Sequence, residues 1–106
     1  MPVLLPSHPR ALLVDLAGVL QVGAQAIPGA AQALERARAA GLRIVFVTNT
    51  TRTPRQRLCA QMNALGFAMR EDELLTAPSA ACQLVRVRGW RPHWLVHPDL
   101  EAEVGP

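Results

Sequence analysis

The sequence contains no lysine and no tyrosine, and only two phenylalanines and two tryptophans. All eleven basic residues are therefore arginines. Without a lysine ammonium, several ways of holding a phosphate are closed to this chain. The segment from Gly18 to Gly23 has the glycine spacing of a phosphate loop, but Ala24-Gln25 stands where Lys-Ser or Lys-Thr is required, so a nucleotide-binding P-loop is excluded. The formal net charge of +3 is spread over Arg36, Arg38, Arg43, Arg52, Arg55, Arg57, Arg86, Arg88 and Arg91. A solvated arginine surface accounts for it, and with so few aromatics no nucleic-acid partner is expected.

Cysteine is also scarce. Cys59 and Cys82 stand alone in apolar segments, without the paired spacing of a zinc site or a disulfide framework, so both are expected as buried free thiols in a reducing cytoplasm. His8, His93 and His97 are too scattered for a metal cluster. Met1 to Pro9 lacks a basic start followed by a long apolar stretch, and no run reaches membrane-spanning length. A cytoplasmic location and no membrane partner are the expectation.

What is present is a chain of 106 residues, half of them apolar, enough for one small domain. Ala11 to Val14 is a short continuous apolar run, expected as a strand buried on both faces and stopping at Asp15. Pro28 opens a helix that ends before Gly41. Leu42 to Val47 is a second buried strand, stopping at Thr48-Asn49-Thr50-Thr51. Thr53-Pro54-Arg55-Gln56 predicts an N-cap, a proline at the first helical position and a capping box, for a helix with Leu58, Met62 and Leu65 on one face. Pro78 to Arg88 predicts a third helix with Ala81, Leu84 and Val85 inward, and Trp94-Leu95-Val96 a third strand. The expected organisation is an N-terminal extension (1–9), a core domain (10–97) and a polar tail or start of a linker (98–106).

Strands alternating with helices over short connections imply a parallel sheet with right-handed crossovers. Ligands of such sheets sit beyond the carboxyl ends of the strands, which here are Asp15 and Thr48. A carboxylate beside a Thr-Asn pair suits covalent phosphoryl transfer, with the carboxylate attacking phosphorus. Local structure explains the same residues equally well: Asp15 can cap the following turn and Thr48 can satisfy a loop.

Val14-Asp15-Leu16-Ala17-Gly18-Val19-Leu20 resembles the first motif of the haloacid dehalogenase-like hydrolases, and Val47-Thr48-Asn49-Thr50-Thr51 the second. Ile27-Pro28-Gly29-Ala30 and Ala40-Gly41-Leu42 resemble the branch with a large α/β cap. Thr76 to Gln83 and Gly89-Trp90-Arg91-Pro92 are most similar to its phospholysine phosphohistidine inorganic pyrophosphate phosphatase subgroup. The likeness implies an α/β fold, a three-layer Rossmann-like parallel sheet with flanking helices. It further implies a phosphatase in which Asp15 is the nucleophile and a ligand of Mg2+, with the Ala17 carbonyl on the same ion. Thr48 and Asn49 would bind the transferring phosphate, the amides of Leu16 and Ala17 would complete an anion nest, and Gly18 to Gly23 would form a flap.

Two departures from the pattern matter. The family's second aspartate, the general acid and base, is Ala17 here. General acid–base help is worth roughly a hundred- to ten-thousandfold, so monoesters are expected to be poor substrates and phosphoramidates or pyrophosphate less affected. The family's later lysine and acidic motifs follow a cap, and this chain stops before them. A phosphorylated small molecule or phosphoramidate is the expected partner of the site, and an inactive phosphate-binding or interaction fragment with the same fold is the alternative. A response-regulator receiver domain is excluded, since Asp15 is the only acidic residue before Glu35. The missing strand beyond the one ending at Asp15 implies an exposed edge that pairs with a homo-oligomer partner or another chain.

Overall fold

The computed structural model describes residues 7–105, so most of the expected N-terminal extension lies outside the described residues. Five strands and four helices follow one another: β1 (Ala11–Asp15), β2 (Gln21–Val22), β3 (Gln25–Ala26), α1 (Ala30–Ala39), β4 (Arg43–Thr48), α2 (Arg55–Ala64), β5 (Leu74–Thr76), α3 (Ala77–Arg88) and α4 (Glu101–Val104). β1, β4 and β5 form a parallel sheet in the order β1-β4-β5, and β2 and β3 make a separate two-stranded hairpin. Residue pairing sets Asp15 opposite Val47 and Thr48 opposite Thr76, so three strands end together.

The sheet grows in one direction, from β1 through β4 to β5. Two right-handed crossovers in the same direction put α1 and α2 on the same face. Burial agrees with this: Leu12, Val14, Ile44, Phe46 and Leu74 share one core with Leu34 of α1 and with Leu58 and Met62 of α2. Phe46 and Met62 are completely buried there. The opposite side is thinly covered. Leu13 is 74% exposed, and Leu75 is exposed as well. β1 was expected to be buried on both faces; it alternates instead, because no described element lies over Leu13. α3 adds nothing to the shared core, and its Ala80 lines one cleft with Val47 and Leu75 on the thinly covered side.

Four further expectations are corrected. Trp94-Leu95-Val96 is not a strand; Leu95 is 95% exposed, and the third strand is Leu74–Thr76. An apolar triplet predicts a strand only if a neighbour offers a ladder, and none reaches it. The capping box at Thr53 does not form: Pro54 occupies the N-cap with no side-chain hydrogen bond, and the Glu103 carboxylate accepts from the Arg55 amide at 3.2 Å instead. In α3 the buried residues are Pro78 and Cys82, whereas Ala81 and Leu84 are exposed. The segment after His97, expected as a polar tail, folds back: Pro98–Leu100 is a 3-10 turn leading into α4, and Leu100 is 1% exposed. Arg57 pairs with Asp99 at 3.1 Å beside it.

One ion pair joins α1 to the approach of β5. Arg38 donates to both oxygens of Glu73, at 2.6 and 3.0 Å, and to the Ala68 carbonyl at 2.9 Å. Glu73 is 7% exposed and Arg38 33%. The hydrogen bonds from Arg38 hold the Glu73 carboxyl below the usual carboxylate range, against the opposing effect of burial. A buried carboxylate that loses its partner costs about 3 kcal/mol, and the partial exposure of Arg38 puts this pair toward or below that figure. Arg38→Met should therefore lower unfolding stability in urea by about 2–3 kcal/mol at neutral pH. Because the folded carboxyl titrates below the unfolded one, the pair's contribution is present above about pH 4.3 and is lost as pH falls through the folded value. The acid limb of a stability-versus-pH curve should flatten in Glu73→Gln, and an unchanged limb would contradict this account.

Candidate active site

The strand ends converge on a cleft of about 430 Å3. Asp15, Thr48 and Asn49 line it, joined by Thr76, Ala77 and Ala80 from the β5–α3 junction. The volume lies in the range of small-molecule sites. An aspartate, a threonine and an asparagine thus line one space.

Each of the two leading residues also makes the local contact that its position suggests. Asp15 Oδ1 accepts from the Leu16 amide at 2.7 Å, and Thr48 Oγ1 accepts from the Thr50 amide at 3.3 Å. These local contacts leave both residues lining the cleft. One Asp15 oxygen is fixed while the exposed carboxyl keeps the other free of that contact.

Leu16 and Ala17 are placed differently from the other three. Leu16 sends its side chain into the core, 2% exposed, and its amide is already engaged by Asp15. Its carbonyl gathers the amides of Val19, Leu20 and Gln21 at 3.2, 2.9 and 3.2 Å. The bridge to Gln21 uses the peptide groups on either side of Ala17, through Gly18 N–H to Gln21 O at 2.8 Å and Gln21 N–H to Leu16 O. Ala17's own carbonyl takes no part in that bridge. Gly18 turns the chain with φ at 77°, a left-handed conformation that favours glycine. Gly18 to Gly23, expected as a flap, holds β2 and the turn toward β3, with Leu20 buried and Val22 exposed.

The β5–α3 contribution was not foreseen. Thr76 caps α3, accepting from the Ser79 amide at 3.1 Å while Ser79 Oγ accepts from the Thr76 amide at 2.9 Å. The signal was present as Thr76-x-Pro78-Ser79, a cap with proline inside the first turn.

The donors at this end are hard oxygens, which suit magnesium in kind. In number they fall short. Among the described residues no three His, Cys, Asp or Glu side chains gather to hold a metal ion, and Asp15 is the only charged group lining the cleft. No helix of the described residues is long and apolar enough to cross a membrane. Burial pushes the Cys59 thiol up, away from reactivity, as a packing residue beside the Met69 carbonyl.

A family model for haloacid dehalogenase-like hydrolases matches residues 12–104. Haloacid dehalogenase-like hydrolase domain-containing protein 2 of Bos taurus is 44% identical over 87 residues, 82% of this chain and 34% of that protein. Phospholysine phosphohistidine inorganic pyrophosphate phosphatase of Xenopus laevis is 39% identical over 99 residues, 89% of this chain and 37% of that one. Among solved structures, glycerol phosphate phosphatase from Mycobacterium tuberculosis in complex with magnesium superposes with a TM-score of 0.64 at 31% identity, covering 76% of this chain and 24% of its own. The chain spans about a third of the length of the two curated relatives.

The cap at Thr76 gives a direct test of how the cleft wall is held. Thr76→Val keeps the shape but removes the acceptor at a site 1% exposed. It should cost about 1 kcal/mol, the usual worth of an N-cap, in thermal or urea unfolding. A neutral result would mean that α3 does not depend on this cap.

Proposed function

The chain belongs to the haloacid dehalogenase-like hydrolases, and from that premise we propose that it carries the phosphoryl-accepting half of a phosphatase site, with Asp15 as nucleophile. The observation that carries the reading is the single cleft lined by Asp15, Thr48 and Asn49 at the carboxyl ends of β1 and β4. In the proposed reaction a free Asp15 oxygen attacks phosphorus, the bond from phosphorus to the leaving group breaks, and the leaving group departs with the electron pair. Water then hydrolyses the aspartyl phosphate and returns the carboxylate. Thr48 Oγ1 and the Asn49 backbone hold the equatorial oxygens with the Ala17 amide, while the Leu16 amide stays on Asp15 Oδ1.

Magnesium, which a related glycerol phosphate phosphatase binds, would be held here by the Asp15 carboxylate and the Ala17 carbonyl. It would neutralise charge on the phosphoryl group. With one carboxylate in the set, these residues alone would hold it weakly. The lack of an acid at Ala17 favours leaving groups that need no enzyme proton, such as the amine of a phosphoramidate or one arm of pyrophosphate.

The partner reading concerns β1, which in the described residues pairs only with β4 and leaves its other edge and Leu13 open. We propose that this edge takes a strand from another chain, a second copy of this one included. The physical reason is that unpaired backbone groups next to an apolar row favour strand addition.

The phosphatase reading is tested by acid-quenching the chain, or a longer version containing it, with a phosphoramidate and magnesium. An acid-stable, hydroxylamine-labile phosphoryl label should appear on the peptide containing Asp15 and vanish in Asp15→Asn. A label retained in that variant would overturn the assignment. In a version that turns over, Ala17→Asp should raise monoester hydrolysis by about a hundredfold or more while changing phosphoramidate hydrolysis little. Equal gains on both would refute the proton-donor argument. For the edge, sedimentation of the 106-residue chain should show association that Leu13→Lys weakens. A monomer at all concentrations would end that part of the proposal.

A further inference from the structure

The free edge of β1 is complementary to itself. Just before the strand, the Arg10 carbonyl accepts from the Arg43 amide of β4 at 3.0 Å. Alternation along the strand then turns the backbone groups of Leu12 and Val14 toward β4 and those of Ala11, Leu13 and Asp15 outward. Outward groups spaced evenly about Leu13 suit an antiparallel copy of the same strand. With Leu13 opposite its equivalent in a second copy, Ala11 lies opposite Asp15, and each outward N–H and C=O of β1 has a partner.

Neighbouring residues close off the other registers. The next one toward the amino end would set Pro9 against Asp15, and proline has no N–H to give. The next one the other way would set Ala11 against Ala17, where the chain has left the strand for the turn at Gly18. A parallel pairing would bring two Asp15 carboxylates side by side, a repulsive arrangement. In the antiparallel pair the exposed Leu13 side chains of the two copies become neighbours on one face, each covering the other.

This pairing brings charge to the place that lacks it. Asp15 is the only charged group lining the phosphoryl cleft. Arg10 is exposed but stands about 17 Å up the same strand from Asp15, too far to serve the site of its own chain. Across the pair, Arg10 of the partner subunit stands one residue beyond the alanine that faces Asp15, roughly 6–7 Å from it between Cα atoms and within the length of an arginine side chain. We propose that the chain works as a two-fold dimer through β1, in which the partner's Arg10 binds the phosphoryl group at Asp15, so that each copy completes the other's site. This rests on Asp15 as phosphoryl acceptor and on the open β1 edge, and it names the group that the edge supplies. A guanidinium fork takes phosphate oxygens in pairs and offsets their repulsion by the Asp15 carboxylate. In the empty dimer the same guanidinium faces Asp15 and favours the register.

The test uses the 106-residue chain carrying Leu13→Cys. Residues opposed in this way lie about 5.5 Å apart between Cα atoms, a spacing that a disulfide spans. Mild oxidation should therefore link Leu13→Cys chains, and Ala11→Cys chains far more slowly. Cys59 and Cys82 are buried, so the parent chain should not link. Calorimetry with inorganic phosphate in a magnesium-containing buffer then reads the linked dimer, where Arg10→Gln should weaken binding about tenfold. The deciding arm is a linked mixed dimer, with Arg10→Gln in one chain and Thr48→Ala in the other. Action across the interface leaves it one site with Arg10 and Thr48 both present, so one phosphate should bind with parental affinity; action within a chain leaves none. Equal linking by the two cysteine variants, or a mixed dimer without a parental site, overturns the proposal. If Thr48→Ala weakens phosphate binding and Arg10→Gln does not, the role of Arg10 is overturned and the phosphoryl site stands. If the linked dimer binds no phosphate, both fall. A parent chain that sediments only as a monomer overturns the dimer, and the labelling of Asp15 still decides the phosphatase reading.

Discussion

The candidate site depends on the ladder that β4 forms on both sides. Its pairing with β1 brings Asp15 level with Val47, and its pairing with β5 brings Thr48 level with Thr76. In a parallel sheet such alignment cannot drift by one residue without sending every side chain to the other face. The buried positions Ile44 and Phe46 prevent that drift, because a shifted register would place them on the thinly covered side. The same core that stabilises the sheet therefore sets the spacing of the polar groups at its end.

Much of this was legible in the sequence for a physical reason. Asp15 and Thr48 each terminate an apolar run, and the end of a run marks both where a strand stops and where its chain turns toward solvent. The glycine after α1 and the apolar stripe of α2 are similarly local signals. The failures all involve partners distant along the chain. Trp94-Leu95-Val96 has strand composition but no ladder to join, whereas Leu74–Thr76, less conspicuous, forms a strand because β4 offers its free edge. Thr53 looked like a cap, yet it caps nothing, and the first turn of α2 is met instead by Glu103, which accepts from the Arg55 amide 48 residues before it. The Arg38–Glu73 pair, with its guanidinium also on Ala68, could not be read from spacing at all.

Three acidic side chains serve the fold: Glu73 holds Arg38, Asp99 holds Arg57, and Glu103 meets the opening of α2. Asp15 alone faces the cleft as a charged group. An anion entering there meets one carboxylate and little else of either sign, so its binding must lean on dipoles, on a metal ion, or on groups supplied by another chain. This is the electrostatic counterpart of the missing lysine.

The contact between Asp15 Oδ1 and the Leu16 amide makes the two oxygens of that carboxylate unequal. The tied oxygen has a lone pair committed to an N–H, while the other retains its electron density and, in the proposed reaction, would be the one to attack phosphorus. In the proposed acyl phosphate the tied oxygen becomes the carbonyl. The same N–H would then draw electrons from the acyl carbon and improve the carboxylate as a leaving group when water attacks phosphorus. A hydrogen bond that restrains the resting carboxylate would thus assist its release, so a single backbone amide would time both halves of the cycle.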